Sequence, residues 1–243
     1  MVRPRYAEAA IDWVLPENPD RVLDLAAGTG KLTASLVARG LDVVAVDSAP
    51  NMLAVLRRRL PLVDARLGRA EEIPLPSASV DAVVVSAAFH WFSRPAAEQE
   101  IARVLRPGGR LGLLWNRRDP DSWVAEVFDE ALHASGVQAE RYSREEVVPD
   151  PRWFGPSERA AFAHTQTLRA DQLPDLLASR SYVIALSAAE RATLLDRVRR
   201  GVARHVDPAA PAVEVPYYTE AIRADQRLRS NTSRRPINVN SGS

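Results

Sequence analysis

Short apolar runs near Val22, Val43, Ala65, Val80 and Leu111 alternate along this chain with segments whose apolar residues recur at helical spacing. Branched runs bounded by turn formers suit strands buried on both faces. Their alternation with helices predicts βαβ units in a parallel sheet with right-handed crossovers. Local chemistry agrees with that reading. Residues 31–39 form an amphipathic helical pattern, and Gly40 stands where the helix would end. Ser48 reads as the N-cap of a helix through Leu60, with Pro50 in its first turn.

After Trp115 the pattern changes. Residues 121–134 are helical in period, 144–156 are proline-containing and irregular, and 162–168 and 213–222 read as two further strands. Between those strands, 171–178 and 188–204 are helical, with Leu194, Leu195 and Val198 on one amphipathic face, and they are expected to cap the substrate side. The polar stretch 230–243 lacks periodicity, so it is expected to be disordered, and its Ser-Gly-Ser end reads as a cloning remnant. The expected organisation is one α/β domain over 1–229, its cofactor-binding part over about 1–118 and its cap and last strands over about 119–229.

Candidate chemistry begins at residues 22–30, Val-Leu-Asp-Leu-Ala-Ala-Gly-Thr-Gly, an apolar run ending in a glycine turn. Gly28 and Gly30 let backbone amides approach a ligand closely, and the helix that follows presents free N–H groups to an anion. The next strand ends on Asp47, about 20 residues on, where dinucleotide folds place the carboxylate that accepts ribose hydroxyls. An adenosine cofactor is the expected guest. A nicotinamide fingerprint would need a third glycine where Thr33 stands, which disfavours that class.

The row Asp24-Leu-Ala-Ala-Gly28-Thr-Gly30 resembles the first motif of class I S-adenosylmethionine-dependent methyltransferases, with Ala26 in place of the usual first glycine. Further matches follow in the family's order. Gly68-Arg-Ala70-Glu71-Glu-Ile-Pro74 resembles the segment framing the adenine, and 81–86 the fourth strand. Phe89-His90-Trp91-Phe92 resembles the aromatic element after it, and 103–111 the helix, turn and fifth strand. The chain is similar to the small-molecule "type 11" branch that includes trans-aconitate methyltransferase relatives, and Arg3-Pro4-Arg5-Tyr6 resembles that branch's N-terminal segment lying over the cofactor.

The resemblance implies a Rossmann-like, mostly parallel seven-stranded sheet with helices on both faces, an antiparallel C-terminal hairpin and a small helical cap. It implies S-adenosylmethionine as cofactor, S-adenosylhomocysteine as product, and methyl transfer to a small organic acceptor. A carboxylate or hydroxyl oxygen is the expected nucleophile. The rival readings are a cofactor-binding regulator without turnover and a nicotinamide-dependent oxidoreductase, the latter lacking a Tyr-x-x-x-Lys pair.

Composition narrows the partners. Thirty-two basic against 31 acidic residues leave a net charge of +1, so no global field recruits nucleic acid or an anionic membrane. The absence of cysteine excludes disulfides, thiolate metal sites and covalent attack by a thiolate on a base ring. Ser86-Ala-Ala-Phe89 replaces the Asn-Pro-Pro-aromatic tetrad of enzymes that methylate exocyclic amines of bases. No metal-ligand cluster stands out, and no run of about 18 apolar residues occurs. A cytoplasmic protein, monomeric or homodimeric, is the default expectation.

Asp47 is the expected ribose ligand, with a helix cap as its bland role; Ser48 beside it shares the cofactor side. Asp24 is expected to bond the loop that follows and, on the resemblance, to lie near the cofactor's amino group. Glu71 is expected at the adenine amine and Ala70 at a backbone contact. Met52 and Leu53 fit a core role, though the resemblance sets an apolar side chain here against adenine. Ser86 and Arg3 complete the cofactor set. His90, just past the fourth strand, is a candidate base or orienting group, with Trp91 beside it offering an aromatic face toward a sulfonium. Arg117 and Arg118 are read as a loop clamp for a substrate carboxylate. Trp115 and Asn116 wall the same mouth, and Tyr6, Arg180 and Tyr182 line the acceptor side. His133, His164 and His205 fall on no motif.

Overall fold

The computed structural model describes residues 4–137, 147–207 and 212–227. Arg3 and the 230–243 stretch lie outside them. Seven strands form one sheet: β1 (Arg21–Leu25), β2 (Asp42–Asp47), β3 (Asp64–Leu67), β4 (Val80–Ser86), β5 (Leu105–Arg118), β6 (Glu158–Leu168) and β7 (Val213–Asp225). The spatial order is β3-β2-β1-β4-β5-β7-β6. The first five strands run parallel, and β7 is inserted antiparallel between β5 and β6.

Chain direction across the sheet reverses between β1 and β4. Strands β2 and β3 are laid to one side of β1, and β4 to the other. Open α/β sheets hold ligands at such a reversal, outside the carboxyl ends of the strands. The glycine loop after β1 and the aromatic element after β4 therefore face one crevice.

Alternate residues of each central strand feed opposite cores. Leu23, Val44, Val83, Val85 and Leu113 pack with Phe89 and Ile101, the latter from α4 (Arg94–Val104). Val22, Val43, Ala82, Val84 and Leu114 pack with residues of α1 (Glu8–Val14) and α2 (Lys31–Val37). A third apolar cluster lies beyond them. There α5 (Trp123–Ala134), α6 (Leu173–Ala178), α7 (Ser181–Ile184) and α8 (Ala188–Ala203) close over Val213, Val215 and Tyr217 of β7. Leu194 and Val198 are buried and Leu195 half-buried, as the amphipathic spacing predicts. A capping box between Ser187 and Glu190 starts α8.

Two local expectations are corrected. Ala49, not Ser48, is the N-cap of α3 (Pro50–Arg59), because the Asp47 carboxylate takes the Ala49 amide at 2.8 Å and Ser48 is left exposed. Arg117 and Arg118 lie not in a loop but in β5, paired across the ladder with Tyr218 and Tyr217. The ladder continues because β7 offers a full row of partners, which no local signal in β5 announces. The Pro107-Gly108-Gly109 turn survives as an irregularity at the other end of β5, where Gly108 takes φ +77° and the register against β4 shifts.

The sheet and α1 meet at Gly112, where an added Cβ would stand 2.8 Å from the Cβ of Val14. Gly112→Ala is expected to destabilise the protein by about 1 to 3 kcal/mol through overpacking, read from the urea midpoint. An unchanged midpoint would show that α1 is free to shift.

Candidate cofactor and acceptor site

The loop after β1 is built from left-handed residues: Ala26 at φ +60°, Gly28 at +56° and Gly30 at +79°. Ala26 bears a conformation that costs an L-residue roughly 1 to 2 kcal/mol, so the position the resemblance assigns to glycine does use glycine's geometry. The two glycines have different reasons. A Cβ on Gly28 would meet nothing within 4 Å, so its face is open to a ligand, whereas one on Gly30 would press to 2.8 Å from Leu56 Cγ of α3. Gly30 thus leaves room for α3 to pack against the loop.

Asp47 holds the loop in place. Its Oδ2 accepts the Gly28 amide at 2.7 Å while Oδ1 accepts the Ala49 amide. Both its cap role and its position at the crevice hold together, since each carboxylate oxygen keeps further acceptor capacity. The chain then passes to Gly68, whose amide reaches the Asp47 carbonyl at 3.1 Å, and to the buried Ala70.

Asp24 is the electrostatic centre of the site. It is wholly buried; the Thr33 hydroxyl donates to Oδ2 at 2.6 Å, and Oδ1 has no partner. Burial, opposed by the hydroxyl and amide of Thr33 and reinforced weakly by Asp47, pushes its pKa up from 3.8 to about 7. Thr33, which in the sequence marks only a missing glycine, is the residue that orients this carboxylate.

Glu71 donates nothing to the loop but accepts the Ser93 amide at 2.8 Å and lies 3.5 Å from Arg69. Partial burial raises its pKa, and the Ser93 amide and Arg69 more than offset that, holding it below the ordinary value. It fastens the β3–β4 connection to the start of α4. Met52 is 41% exposed at the first turn of α3 while Leu53 is buried, which separates the ligand-facing candidate from the core residue.

After β4, Ser86 leads to Ala87, left-handed at φ +51°, whose amide bonds Leu114 of β5. A 3-10 turn over Phe89–Trp91 follows. Phe89 is buried and meets Phe92 edge-on at 5.7 Å. That anchor leaves His90 exposed and Trp91 66% exposed, their ring centroids 4.8 Å apart. Desolvation by the surrounding protein lowers the His90 pKa below 6.5, so its imidazole is neutral at pH 7.

The acceptor-side candidates are divided by strand parity. Trp115 packs on the core beneath α4, and Arg117 is engaged by Glu220. Asn116 faces the opposite way: it donates to the Arg5 carbonyl at 2.7 Å and accepts from Thr219, whose hydroxyl also takes the Ala7 amide. The N-terminal segment carrying the half-buried Tyr6 is thereby tied to β5 and β7. Tyr182 packs in the cap. Arg5, Lys31, Arg59 and His164–Thr167 line a cavity of ≈ 420 Å³ beside the start of α2. Among the described residues, no group of three or more His, Cys, Asp or Glu side chains could hold a metal, and no helix is long and apolar enough to cross a membrane.

Sequence reasoning missed Thr219, Tyr217 and Phe128. Strict alternation over Val213, Val215, Tyr217 and Thr219 was the signal that these share one face.

A family model described as "Methyltransferase domain" matches residues 23–113. An uncharacterized methyltransferase of Mycobacterium tuberculosis is 49% identical over 224 residues, covering 91% of this chain and 90% of that protein. An uncharacterized methyltransferase-like protein of Schizosaccharomyces pombe is 36% identical over 213 residues, 83% of each. Among solved structures, a protein assigned as a type II methyltransferase from Anaeromyxobacter dehalogenans aligns with a TM-score of 0.70 at 26% identity, over 94% of this chain and 99% of that one. A phosphoethanolamine N-methyltransferase of Haemonchus contortus, solved with S-adenosyl-L-methionine, shares the fold at a TM-score of 0.52 and 18% identity, over 90% of this chain and 51% of that one.

The Asp24 assignment carries a pH signature. A carboxyl whose folded pKa is raised makes the protein most stable below about 4 and costs stability as pH climbs toward 7. Asp24→Asn keeps an acceptor for Thr33 and removes that cost. The variant is expected to gain stability over the parent on the order of 2 to 4 kcal/mol at pH 8 and little at pH 4. Urea unfolding at the two pH values checks this; a gain independent of pH would contradict the buried, uncompensated carboxylate.

Proposed function

This chain belongs to the class I S-adenosylmethionine-dependent methyltransferases, and we propose that its acceptor is a small organic molecule methylated on a carboxylate or hydroxyl oxygen. The observation that carries the reading is the pairing, across one crevice, of the Asp24–Gly28–Asp47 cradle with a neutral histidine after β4.

The residues present fit the cofactor. Asp24 keeps a buried, unpartnered oxygen suited to a cationic amino group. Gly28 offers an open backbone face, and the carboxylate of Asp47 is pre-aimed by two amides. Ala26 shapes the turn; Ala70, Glu71 and Met52 would frame the adenine, and Ser86 and Ser48 would flank the same cleft. Bound there, S-adenosylmethionine supplies a methyl group on a sulfonium whose charge already activates the leaving group. The protein's task is therefore alignment, which is worth on the order of 7 to 11 kcal/mol in favourable cases.

On this reading, an imidazole nitrogen of His90 takes the proton of a hydroxyl acceptor, or orients the ionised oxygen of an acid. Trp91, in the turn anchored by the buried Phe89, offers a ring face that favours positive charge by about 0.5 to 2 kcal/mol. Tyr6, Trp115 and Tyr182 would shape the acceptor space. Near-neutral net charge supports a small partner over a nucleic acid.

Two variants test the roles. Asp47→Ala is expected to weaken S-adenosylmethionine binding by about 1 to 3 kcal/mol, charged hydrogen bonds being lost; calorimetry showing unchanged affinity would remove Asp47 from the site. For His90, kcat/KM in a coupled S-adenosylhomocysteine-release assay across small acids and alcohols is expected to fall on an acid limb with its midpoint below 6.5. His90→Ala should abolish turnover while retaining cofactor binding. Full activity in that variant would assign His90 to packing alone.

A further inference from the structure

The half-buried guanidinium of Arg118 and the buried phenol of Tyr217 lie together under the cap, each with one buried polar atom unmet. Arg118 and Tyr217 are direct cross-strand partners on β5 and β7. Tyr217 is 1% exposed and its hydroxyl has no hydrogen-bond partner; the Nη1 of Arg118 is likewise buried without one. The Arg118 Cζ lies 4.4 Å from the centroid of the Phe128 ring of α5, and the ring of His164 stacks on Tyr217 at 5.6 Å. Neither residue joins an ion pair among the described residues.

Desolvation and then the positive charge of Arg180 push the Arg118 pKa down, while Tyr182, Tyr217 and Asp129 act weakly the other way. Leaving a buried guanidinium nitrogen unmet is costly, and a nearby positive charge adds to the cost. Folded proteins retain such arrangements where a ligand supplies the missing charge. The aromatic walls, Phe128 and Tyr217, confine that ligand and leave its contacts to the guanidinium fork and the phenol.

Position ties the pocket to the reaction. Leu114 pairs with Ser86 at the end of β4, and Arg118 stands four residues further along the same strand and the same face, roughly 13 Å away at about 3.3 Å per residue. Arg117, one residue earlier, points to the other face and is engaged by Glu220.

We infer that Arg118, with Tyr217, forms an oxyanion pocket that seats an acidic group of the acceptor remote from its methylated atom. This rests on the methyltransferase reading only for the word acceptor; the pocket itself is read without turnover. It assigns the acceptor a second functional group, a carboxylate or a phosphate, held by the cap while the reacting oxygen sits at the crevice. It also separates Arg118 from Arg117, which the sequence offers as equals.

The test is thermal unfolding and calorimetry of the full chain with butyrate and with inorganic phosphate, in the absence of cofactor. One of the two probes is expected to bind and to raise the Tm of the parent, and which one names the oxyanion. Arg118→Met is expected to weaken that binding by about tenfold or more, and to unfold at the same or higher temperature because an uncompensated charge is gone. Arg117→Met should bind the probe as the parent does. Tyr217→Phe keeps the packing and the stacked ring, so it stays folded whatever Arg118 does, and it is expected to weaken the probe severalfold without loss of Tm. No binding by either probe, equal binding by Arg118→Met, or a lowered Tm in both Arg118→Met and Tyr217→Phe would overturn the pocket and make these residues structural. Methyl transfer to acids carrying the preferred group is measured separately, so a working pocket without turnover would indict the reaction and not the pocket.

Discussion

Everything at the strand ends depends on one buried carboxylate. Asp24 stands at the centre of the sheet with no solvent, one side-chain hydroxyl partner and one unmet oxygen. In an apolar fold of this size a leucine would be the stabilising choice, since an uncompensated carboxylate in low dielectric costs several kcal/mol or titrates to its neutral form. The chain keeps the acid and raises its pKa instead. A group held near its titration point at the entrance of a helix is cheap to keep when empty and available to a cation when a ligand arrives. The left-handed Ala26 is a second cost at the same place, and Asp47 fixes the loop through Gly28 with one oxygen and the start of α3 through Ala49 with the other.

The same logic recurs across the sheet. At the end of β5, the half-buried Arg118 keeps a buried nitrogen without a partner, as the buried Asp24 keeps an oxygen without one. Between them lies the exposed aromatic element His90–Trp91, held by Phe89. Two unmet groups of opposite charge flank a neutral histidine, the electrostatic outline that the proposed cationic cofactor and anionic co-substrate would meet. Stability is given up at both ends of the crevice, and the cap and double-sided core supply the margin.

Much of this was legible in the sequence because it is written in short-range patterns. Branched apolar runs mark β1, β2 and β4, and the glycine turn and Asp47 sit where strand-end geometry demands them. What escaped reading was set by distant partners. Arg117 and Arg118 look like loop residues because nothing in β5 states that Tyr218 and Tyr217 will pair with them. Ser48 looks like a cap because serine usually is one, but the preceding carboxylate reaches the amide first. Gly28 and Gly30 look alike in the sequence, and only the closeness of Leu56 separates a ligand face from a packing contact. Thr33 showed itself first as a mismatch to a nucleotide fingerprint, and its bond to Asp24 gives the physical reason.

The central claim is that the crevice between β1 and β4 is a sulfonium-cofactor site, and direct titration tests it best. S-adenosylmethionine, S-adenosylhomocysteine and NADH would each be titrated into purified protein by calorimetry, after any co-purified cofactor has been removed. The account predicts saturable one-to-one binding of the first two, about micromolar in strength and worth about 8 kcal/mol, with no heat from NADH. Binding of NADH alone, or of none of the three, would contradict it.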